Sequence, residues 1–299
     1  MKSSNQSPIL VTGAAGDVGA IGPNVIASLL AKGHKGARAG PPQRRTGCAE
    51  VVTGDLTDLA SMQRAIAGCK RIYFSMSISA AYLEATVNVA AVARHHGVEA
   101  FVNMSQMTVS QMSITETTDS PQHRLHWLAQ QALAWSGLPV VTLRPTVFLE
   151  GFFLRLAANG VRETDQLALP LGSARTSPIS AVDVARVVST ILDDPTPHIG
   201  QIYNLTGPES LDLEHHARAF SEALGRTIRY RDLPVAAWSE KLRELGVPPH
   251  VINHLSTMAR LHAQGRYDRM TDDVARLTGQ KPMSTGDFVK LRSAEFTRS

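Results

Sequence analysis

The sequence predicts an α/β protein with a doubly wound parallel sheet and a smaller, mostly helical C-terminal lobe. Short apolar runs and helical segments alternate at intervals of about 20–30 residues through the first half of the chain, as parallel strands with crossover helices do. A glycine-rich segment directly follows the first apolar run, since residues 9–19 read Ile-Leu-Val-Thr-Gly-Ala-Ala-Gly-Asp-Val-Gly. The crossovers in such a sheet are expected to be right-handed. Ligands are expected at the carboxyl ends of its strands.

Apolar runs bounded by turn residues predict the strands, and glycines mark the ends of the helices. The predicted strands span residues 9–12, 50–53, 71–75, 100–104 and 140–143. The predicted helices span 24–32, 59–67, 82–95 and 123–135, and they end at Gly33, Gly68, Gly97 and Gly137. Proline is tolerated in the first turn of a helix, so Pro23 does not prevent the first one.

The regular rhythm ends near Glu150, and the rest of the chain is richer in helices. Helices are expected at 151–160, 183–192, 213–224 and 236–245, a strand at 201–204 and an amphipathic stretch at 251–262. We therefore expect a sheet domain over residues 1–150 and a C-terminal lobe over 151–299. Residues of about 177–206 are expected to return to the sheet domain.

One segment does not fit the alternation. Between His34 and Glu50 the chain contains no Val, Ile, Leu or aromatic residue. Such a segment has little to bury as a strand and does not easily form a helix. The sequence therefore predicts a shortened, mobile loop in place of the second strand and helix.

The spacing of three glycines after the first strand has a mechanical meaning. In a Rossmann-type turn the chain bends sharply, passes close to a pyrophosphate and starts a helix against the sheet, and each step favours a residue without a side chain. The helix N-terminus offers N–H groups to the phosphates. The alternative is a structural turn without a ligand. The expected cofactor contacts here are Thr12, Gly13, Ala15, Gly16, Asp17, Val18 and Gly19.

The segment beyond His34 bears on which dinucleotide is bound. An acidic residue at the end of the second strand suits the ribose of NAD, and a basic one suits the 2′-phosphate of NADP. No Asp or Glu lies between Asp17 and Glu50, while Arg38, Arg44 and Arg45 do. Because the arginine fork matches phosphate geometry, NADP(H) is favoured over NAD(H). The alternative is that these arginines only solvate a loop.

A second candidate contact follows the strand at 50–53. Asp55 and Leu56 stand at its carboxyl end, where they would border the adenine. The Asp55 carboxylate can accept from the adenine amino group, or it can cap the next helix without any ligand. The residues favour neither role over the other.

Composition excludes several other classes of protein. The chain has 299 residues, 43% of them hydrophobic, and a formal net charge of +4 that is spread along the sequence, so no nucleic-acid partner is expected. Two cysteines, Cys48 and Cys69, are too few for a disulfide framework or a metal site, which favours a reducing, cytoplasmic environment. No apolar stretch approaches the ~20 residues of a membrane span. The polar segment Met1–Ser7 is not expected to act as a signal peptide, because no apolar run follows a charged start.

Several motifs together resemble the NmrA-like group of atypical short-chain dehydrogenases/reductases. They are the glycine segment, Gly-Asp-Leu-Thr-Asp (54–58), Phe-Val-Asn-Met-Ser (101–105), residues 136–148, 179–185, 203–209 and 270–279. The family comprises NADPH-dependent quinone, azo-dye and triphenylmethane reductases and isoflavone-type reductases. It also includes a dinucleotide-binding regulator without known turnover. The resemblance covers almost the whole chain and implies fold and cofactor class more firmly than activity.

The chain departs from typical short-chain dehydrogenases in their Tyr-x-x-x-Lys pair. There the tyrosine donates a proton, and the lysine lowers its pKa and holds the nicotinamide ribose. Counting from Ser136 puts Gln122 at the tyrosine position and His126 at the lysine position. His126 resembles the histidine of some quinone-reductase-like members and is expected to bind the ribose or supply a proton. It can also be a partly buried structural histidine, and His123 is the other candidate acid.

The resemblance implies further site residues. Ser105 ends the strand at 100–104, where the catalytic serine of the family would lie. Asn88 is similar to an asparagine that supports the active site in relatives, although packing and local hydrogen bonds explain it equally well. Ser75 and Met76 stand at the carboxyl end of the predicted strand at 71–75, and they would border the nicotinamide ribose.

The end of the strand at 140–143 contributes the last group. Thr146 is assigned to the cofactor site, and Phe148 would face the nicotinamide or the substrate. Phe152 and Phe153 follow, so the expected mouth is apolar and suits a flat aromatic molecule. These aromatic side chains can equally be core.

The leading hypothesis is an NADPH-dependent reductase of a quinone-like or conjugated small molecule. The second is a dinucleotide sensor without turnover that acts through a protein partner, motivated by the missing tyrosine and lysine. The third is a scaffold in which residues 35–49 abolish cofactor binding. A homodimer is compatible with each of them.

Overall fold

A computed structural model describes residues 7–13, 21–34, 36–39 and 50–298, and of residues 36–39 it describes the backbone. Up to residue 145 the described strands are β1 (Ile9–Val11), β2 (Gly36–Ala39), β3 (Glu50–Val52), β4 (Arg71–Phe74), β5 (Ala100–Met104) and β6 (Val140–Pro145). The helices are α1 (Ile21–Ala31), α2 (Leu59–Ile66), α3 (Tyr82–His95) and α4 (Pro121–Trp135), with a 3₁₀ turn at Met107–Gln111.

The second half of the chain begins with a π-helix, Glu150–Ala157. The later strands are β7 (Gln166–Leu169), β8 (Arg175–Thr176), β9 (Ile202–Leu205), β10 (Leu211–Asp212) and β11 (Arg229–Asp232). The later helices are α5 (Ala158–Thr164), α6 (Ala181–Asp193), α7 (Leu213–Leu224), α8 (Val235–Glu244), α9 (Pro249–Ala263), α10 (Asp273–Thr278), α11 (Thr285–Leu291) and α12 (Ser293–Phe296).

The predicted fold class is confirmed. Seven strands form one sheet in the order β3-β2-β1-β4-β5-β6-β9, and the pairs of β1 with β2 and with β4 are parallel. The order runs outward from β1 in both directions, so the sheet changes direction between β1 and β4. All three residues of β1 are buried, as expected for a central parallel strand covered on both faces.

The prediction that no second strand forms after His34 was wrong. Residues 36–39 form β2, which pairs in parallel with β1 on one side and with β3 on the other. Two neighbouring strands satisfy its backbone N–H and C=O groups, and this pairing outweighs the weak strand preference of Gly-Ala-Arg-Ala. The rest of the predicted loop, residues 40–49, lies outside the described residues.

The chain divides into two compact units. The first contains residues up to 117, 121–144 and 184–204, and the second contains 118–120, 145–183 and 205–299. In the first unit, side chains from β1, β4 and β5 pack with α2, α3 and α4 in one apolar cluster that includes Leu10, Phe74 and Phe101. Among the described helices, none is both long and apolar enough to cross a membrane.

The second unit has its own aromatic core. The rings of Phe153 and Phe220 meet edge to face at 5.1 Å, and Phe220 meets Phe296 at the same distance. Two pairs of short strands, β7 with β11 and β8 with β10, complete this unit. The sequence pattern missed these strands because two to four residues are too few to show an alternation.

Candidate functional site

The carboxyl ends of β1 and β4 are joined by reciprocal hydrogen bonds. The Thr12 hydroxyl donates to the carbonyl oxygen of Ser75 at 2.9 Å, and the backbone N–H of Ser75 donates back to the hydroxyl at 2.9 Å. The backbone N–H of Thr12 donates to the carbonyl oxygen of Tyr73 at 3.0 Å. Thr12 is fully buried, so this junction fixes the two strand ends beside the change in sheet direction.

Gly13 follows Thr12 in a conformation that requires glycine for two reasons. Its φ is +66°, in the left-handed region that disfavours side chains. A Cβ atom at this position would lie 2.5 Å from Ser75 Oγ and 2.8 Å from the Ser75 carbonyl oxygen. The sharp turn predicted for the first glycine is therefore present. Residues Ala15, Gly16, Asp17, Val18 and Gly19 lie outside the described residues, so their cofactor contacts stay predictions.

Arg38 belongs to β2 and is level with Val11, the last residue of β1. The second strand therefore carries an arginine near its carboxyl end, next to the strand that leads into the glycine turn. This is the place in the sheet where a dinucleotide-binding protein selects between its two cofactors. Arg44 and Arg45 lie outside the described residues.

The structure separates the two roles considered for Asp55. Asp58, not Asp55, caps α2, since its side chain accepts from the backbone N–H of Ala60 at 3.0 Å. Asp55 Oδ1 accepts from the backbone N–H and the hydroxyl of Thr57, at 2.9 and 2.8 Å. These bonds from Thr57 lower the pKa of Asp55. Asp55 is an exposed carboxylate in the loop that follows β3. Its contact with adenine stays a prediction.

Asn88 is tied to the same loop. Its side-chain N–H donates to the carbonyl oxygen of Leu56 at 2.8 Å, and Asn88 is buried in α3. The amide thus holds the backbone of the loop after β3, 32 residues earlier in the chain, and its support of an active site stays a prediction. Leu56 is half-buried against the core of the first unit.

One face of α4 carries three polar side chains spaced four residues apart: Gln122, His126 and Gln130. Gln122 Oε1 accepts from the backbone N–H of Ser79 at 3.1 Å, in the loop after β4. The half-buried His126 ring lies with its centroid 4.0 Å from that of Tyr82. His123 is fully buried, which disfavours it as an acid that exchanges protons with a ligand.

Tyr82 itself is a structural residue. It is almost fully buried and its hydroxyl donates to the carbonyl oxygen of Met104, at the end of β5, at 2.9 Å. Burial raises the pKa of Tyr82 far above its usual range. His126 therefore packs on a neutral ring that is anchored to β5, and its catalytic and ribose-binding roles stay predictions.

Ser105 takes part in a chain of side-chain hydrogen bonds that the sequence did not reveal. Arg144, in β6, donates through Nη2 to Gln130 Oε1 at 2.5 Å. Gln130 Nε2 donates to Ser105 Oγ across a short contact. Ser105 and Gln130 are both buried. The only sequence signal for Gln130 is its position one helical turn after His126.

Two further residues of the first unit are placed as follows. Ser75 forms the junction with Thr12, as described above, and Met76 is half-buried and packs against the apolar cluster of the first unit. Both follow β4 directly, at its carboxyl end. Their contacts with a nicotinamide ribose stay predictions.

The remaining predicted residues belong to the second unit. Thr146 is buried, and its backbone N–H donates to the carbonyl oxygen of Leu205 at 2.9 Å. Phe148 is half-buried, and Phe152 lines a small apolar pocket with residues of α8 and α9. Phe153 corrects the prediction: its ring is fully buried against Phe220 and is core rather than a substrate contact.

A glycine turn at the end of β1, beside the point where a parallel sheet changes direction, defines the class of dinucleotide-binding α/β proteins. Residues 13–195 match the model of the NAD(P)H-binding family. The chain belongs to that family, which confirms the class inferred from the motifs.

Similar proteins include both reductases and a regulator. The NAD(P)H azoreductase of Xenophilus azovorans is 25% identical over 83% of this chain and 84% of its own length. The NADPH-dependent quinone oxidoreductase of Escherichia coli, solved with NADPH, has a TM-score of 0.81 and 20% identity over 95% of this chain and 99% of that one. NmrA, a negative transcriptional regulator, has a TM-score of 0.76 and 16% identity over 96% and 95%. The resemblance to the NmrA-like group is thereby confirmed, and the two solved structures show a shared fold.

Proposed function

We propose that the protein is an NADPH-dependent reductase that acts on a quinone-like or otherwise conjugated small molecule. One observation carries the substrate class: α4 presents Gln122 and His126 where typical relatives have a tyrosine and a lysine. An amide cannot give up a proton to an alkoxide, so a simple ketone would lack its acid. Conjugated acceptors spread added negative charge over several atoms and need less protonation.

Residues of the first unit would hold the cofactor. Thr12 and Gly13 form the turn beside Ser75, and Arg38 lies near the end of β2. When bound, NADPH supplies a hydride, which carries two electrons, and the reduced acceptor takes its further proton from water. The chain's own contribution is to keep the strand ends rigid and to present hydrogen-bond donors. The azoreductase and quinone oxidoreductase named above support this choice of chemistry.

The substrate contacts are the least defined part of the proposal. Phe148 is half-buried and remains the aromatic side chain expected to meet a flat acceptor. Phe152 is buried in the same apolar cluster as Phe153, so its contact with the acceptor is the weaker part of the proposal. Apolar and aromatic walls suit such a ligand because they exclude water from its faces.

Replacing Arg38 should change the preference between the two cofactors. Arg38→Ala is expected to weaken NADPH binding about tenfold or more, because a charge-assisted contact with the 2′-phosphate is worth about 1.5–3 kcal/mol. NADH affinity should stay near the wild-type value. Titration of cofactor fluorescence measures both, with Arg64→Ala, an exposed arginine of α2, as the matched control. Equal losses for both cofactors would show that Arg38 does not read the phosphate.

Oxidation of NADPH tests the activity directly. Absorbance at the nicotinamide band should fall with quinones, azo dyes or conjugated enones and stay constant with simple ketones. His126→Ala is expected to lower the rate with conjugated acceptors about tenfold or more, because the imidazole would hold the nicotinamide ribose in place for hydride transfer. Fast reduction of simple ketones that survives His126→Ala would contradict the proposal.

The second candidate is a dinucleotide sensor that binds NADP(H) and a protein partner without turnover. The missing tyrosine and lysine favour it, together with the fold shared with a negative transcriptional regulator. Calorimetric binding of NADP⁺ combined with no NADPH oxidation on any acceptor would select the sensor. Failure to bind either dinucleotide would reject both candidates.

A further inference from the structure

We infer that Arg144 and Gln130 are positioning residues that fix the Ser105 hydroxyl as a hydrogen-bond donor towards the acceptor being reduced. The inference deepens the proposed function and depends on it for the identity of the ligand. It rests on the chain of contacts from β6 through α4 to the end of β5, which we call the Arg144–Gln130–Ser105 relay. Neither Arg144 nor Gln130 would touch the substrate.

The direction of every bond in the relay is set by the arginine. A guanidinium group has donors and no acceptor, so the atom of Gln130 that faces Arg144 at 2.5 Å must be its carbonyl oxygen. The other end of the same amide, the NH₂ group, then faces Ser105 and donates to Oγ. Ser105 is therefore the acceptor of this bond, and its own proton is available for another partner.

The position of Ser105 indicates where that proton points. Its backbone N–H donates to the carbonyl oxygen of Leu143 at 2.8 Å, which holds the residue at the carboxyl end of β5. Among the described residues, the Ser105 side chain makes one hydrogen bond, the one from Gln130. A buried hydroxyl normally uses its donor as well, and the carboxyl ends of the strands are where this class of sheet binds its ligands.

The relay also transmits the electrostatic effect of the Arg144 cation to the Ser105 hydroxyl. The Arg144 cation polarises the Gln130 amide, and the amide in turn polarises the hydroxyl, because hydrogen bonds in a chain strengthen one another at low dielectric. A reduced quinone or azo group gains negative charge on oxygen or nitrogen. A donor held in place before the reaction stabilises that charge without reorganisation. Ser105 would keep its proton throughout.

Gln130→Glu tests the direction of the relay with almost no change in shape. A carboxylate still accepts from Arg144, but its second oxygen can only accept, so the Ser105 hydroxyl must turn and donate to it. We expect kcat for a conjugated acceptor to fall about 10- to 100-fold, with stability unchanged or raised by the new ion pair. Ser105→Ala should cost a similar factor in the wild type and nothing further in the Gln130→Glu background. Gln131→Glu, the same substitution at the half-buried neighbour, should leave kcat unchanged.

A second measurement does not depend on turnover. The side-chain NH₂ resonances of Gln130, identified by their loss in Gln130→Glu, should exchange slowly with water and become fast in Ser105→Ala. Unprotected Gln130 resonances, or a Gln130→Glu variant with wild-type kcat, would overturn the relay. A wild-type protein with protected Gln130 resonances that oxidises no NADPH would refute the proposed function and the donor role of Ser105 towards an acceptor. The direction of the hydrogen bond from Gln130 to Ser105 would still stand.

Discussion

The protein is expected to lose much of its free energy of unfolding between pH 6.5 and pH 4, because three histidines of the second unit are buried. His216, His254 and His262 are at most 5% exposed. Desolvation by burial is the main cause that lowers the pKa of each from 6.5 to about 4. An imidazolium in any of these places would lose its hydration, so the folded state holds the neutral rings.

The sign of the effect follows from proton binding. Between pH 6.5 and 4 the unfolded chain binds a proton at each of these histidines and the folded chain does not, so acid favours unfolding. The stability is fully present above pH 6.5 and is lost as the pH falls through about 4. A gap of this size corresponds to roughly 3 kcal/mol per histidine, and three of them approach the whole stability of an ordinary domain, about 5–15 kcal/mol.

Local contacts explain why the rings tolerate burial. His262 stacks on Tyr267 with centroids 3.8 Å apart, and its Nδ1 donates to the carbonyl oxygen of Met258 at 2.8 Å. His216 and His254 each share a hydrogen bond with a hydroxyl, that of Thr285 at 2.9 Å and that of Ser120 at 2.8 Å. These hydroxyl and carbonyl partners suit a neutral imidazole. At His216 the carboxylate of Asp212 raises the pKa, but burial lowers it by more.

Urea denaturation at a series of pH values between 7.5 and 4.5 measures the effect. His262→Phe keeps the ring stack and removes one titrating group, so the dependence of unfolding free energy on pH should weaken by about one third. His250→Gln replaces an exposed histidine of α9 and should leave the slope unchanged. A wild-type protein whose stability is flat across this range would show that the buried histidines are not held neutral.

The second large effect is expected at the glycine turn. Gly13→Ala should destabilise the protein by about 3 kcal/mol or more and weaken dinucleotide binding at least tenfold. An alanine in the left-handed region costs roughly 1–2 kcal/mol by itself. The added methyl group would also collide with the hydroxyl and backbone carbonyl of Ser75, which the reciprocal bonds with Thr12 hold in place.

Gly33→Ala separates the cost of the left-handed backbone conformation from the cost of the collision with Ser75. Gly33 has a φ of +83°, and among the described residues no atom lies within 4 Å of the Cβ that would be added. It should therefore show the conformational cost alone, about 1 kcal/mol, with unchanged cofactor affinity. Thermal unfolding and calorimetric titration with NADP⁺ compare the two variants. Equal losses of stability in both would mean that the close approach to Ser75 contributes nothing.

Local patterns predicted most of the first unit. The helix at Tyr82–His95 and the strand at Ala100–Met104 have the predicted bounds, because a run of apolar residues and a closing glycine lie within the segment itself. β2 was missed because its place depends on β1 and β3, which are remote in the sequence. Backbone pairing leaves no trace in side-chain composition.

The same contrast between local and remote determinants applies to the residues of the candidate site. Gly13 could be identified because its neighbours in the chain define the turn. The relay could not, since Ser105, Gln130 and Arg144 stand on three different elements and each has an ordinary local context. Phe153 was misassigned because an aromatic residue after a strand end looks the same whether it faces a ligand or Phe220.

The composition of β2 affects how the protein would bind its cofactor. The strand is Gly-Ala-Arg-Ala, with no large apolar side chain to lock its alignment, and strands of this kind have a weakly specified register. A slip by one residue would remove Arg38 from the level of Val11. A dinucleotide that engages Arg38 would then favour the alignment that keeps Arg38 level with Val11, so cofactor binding would stabilise the observed register.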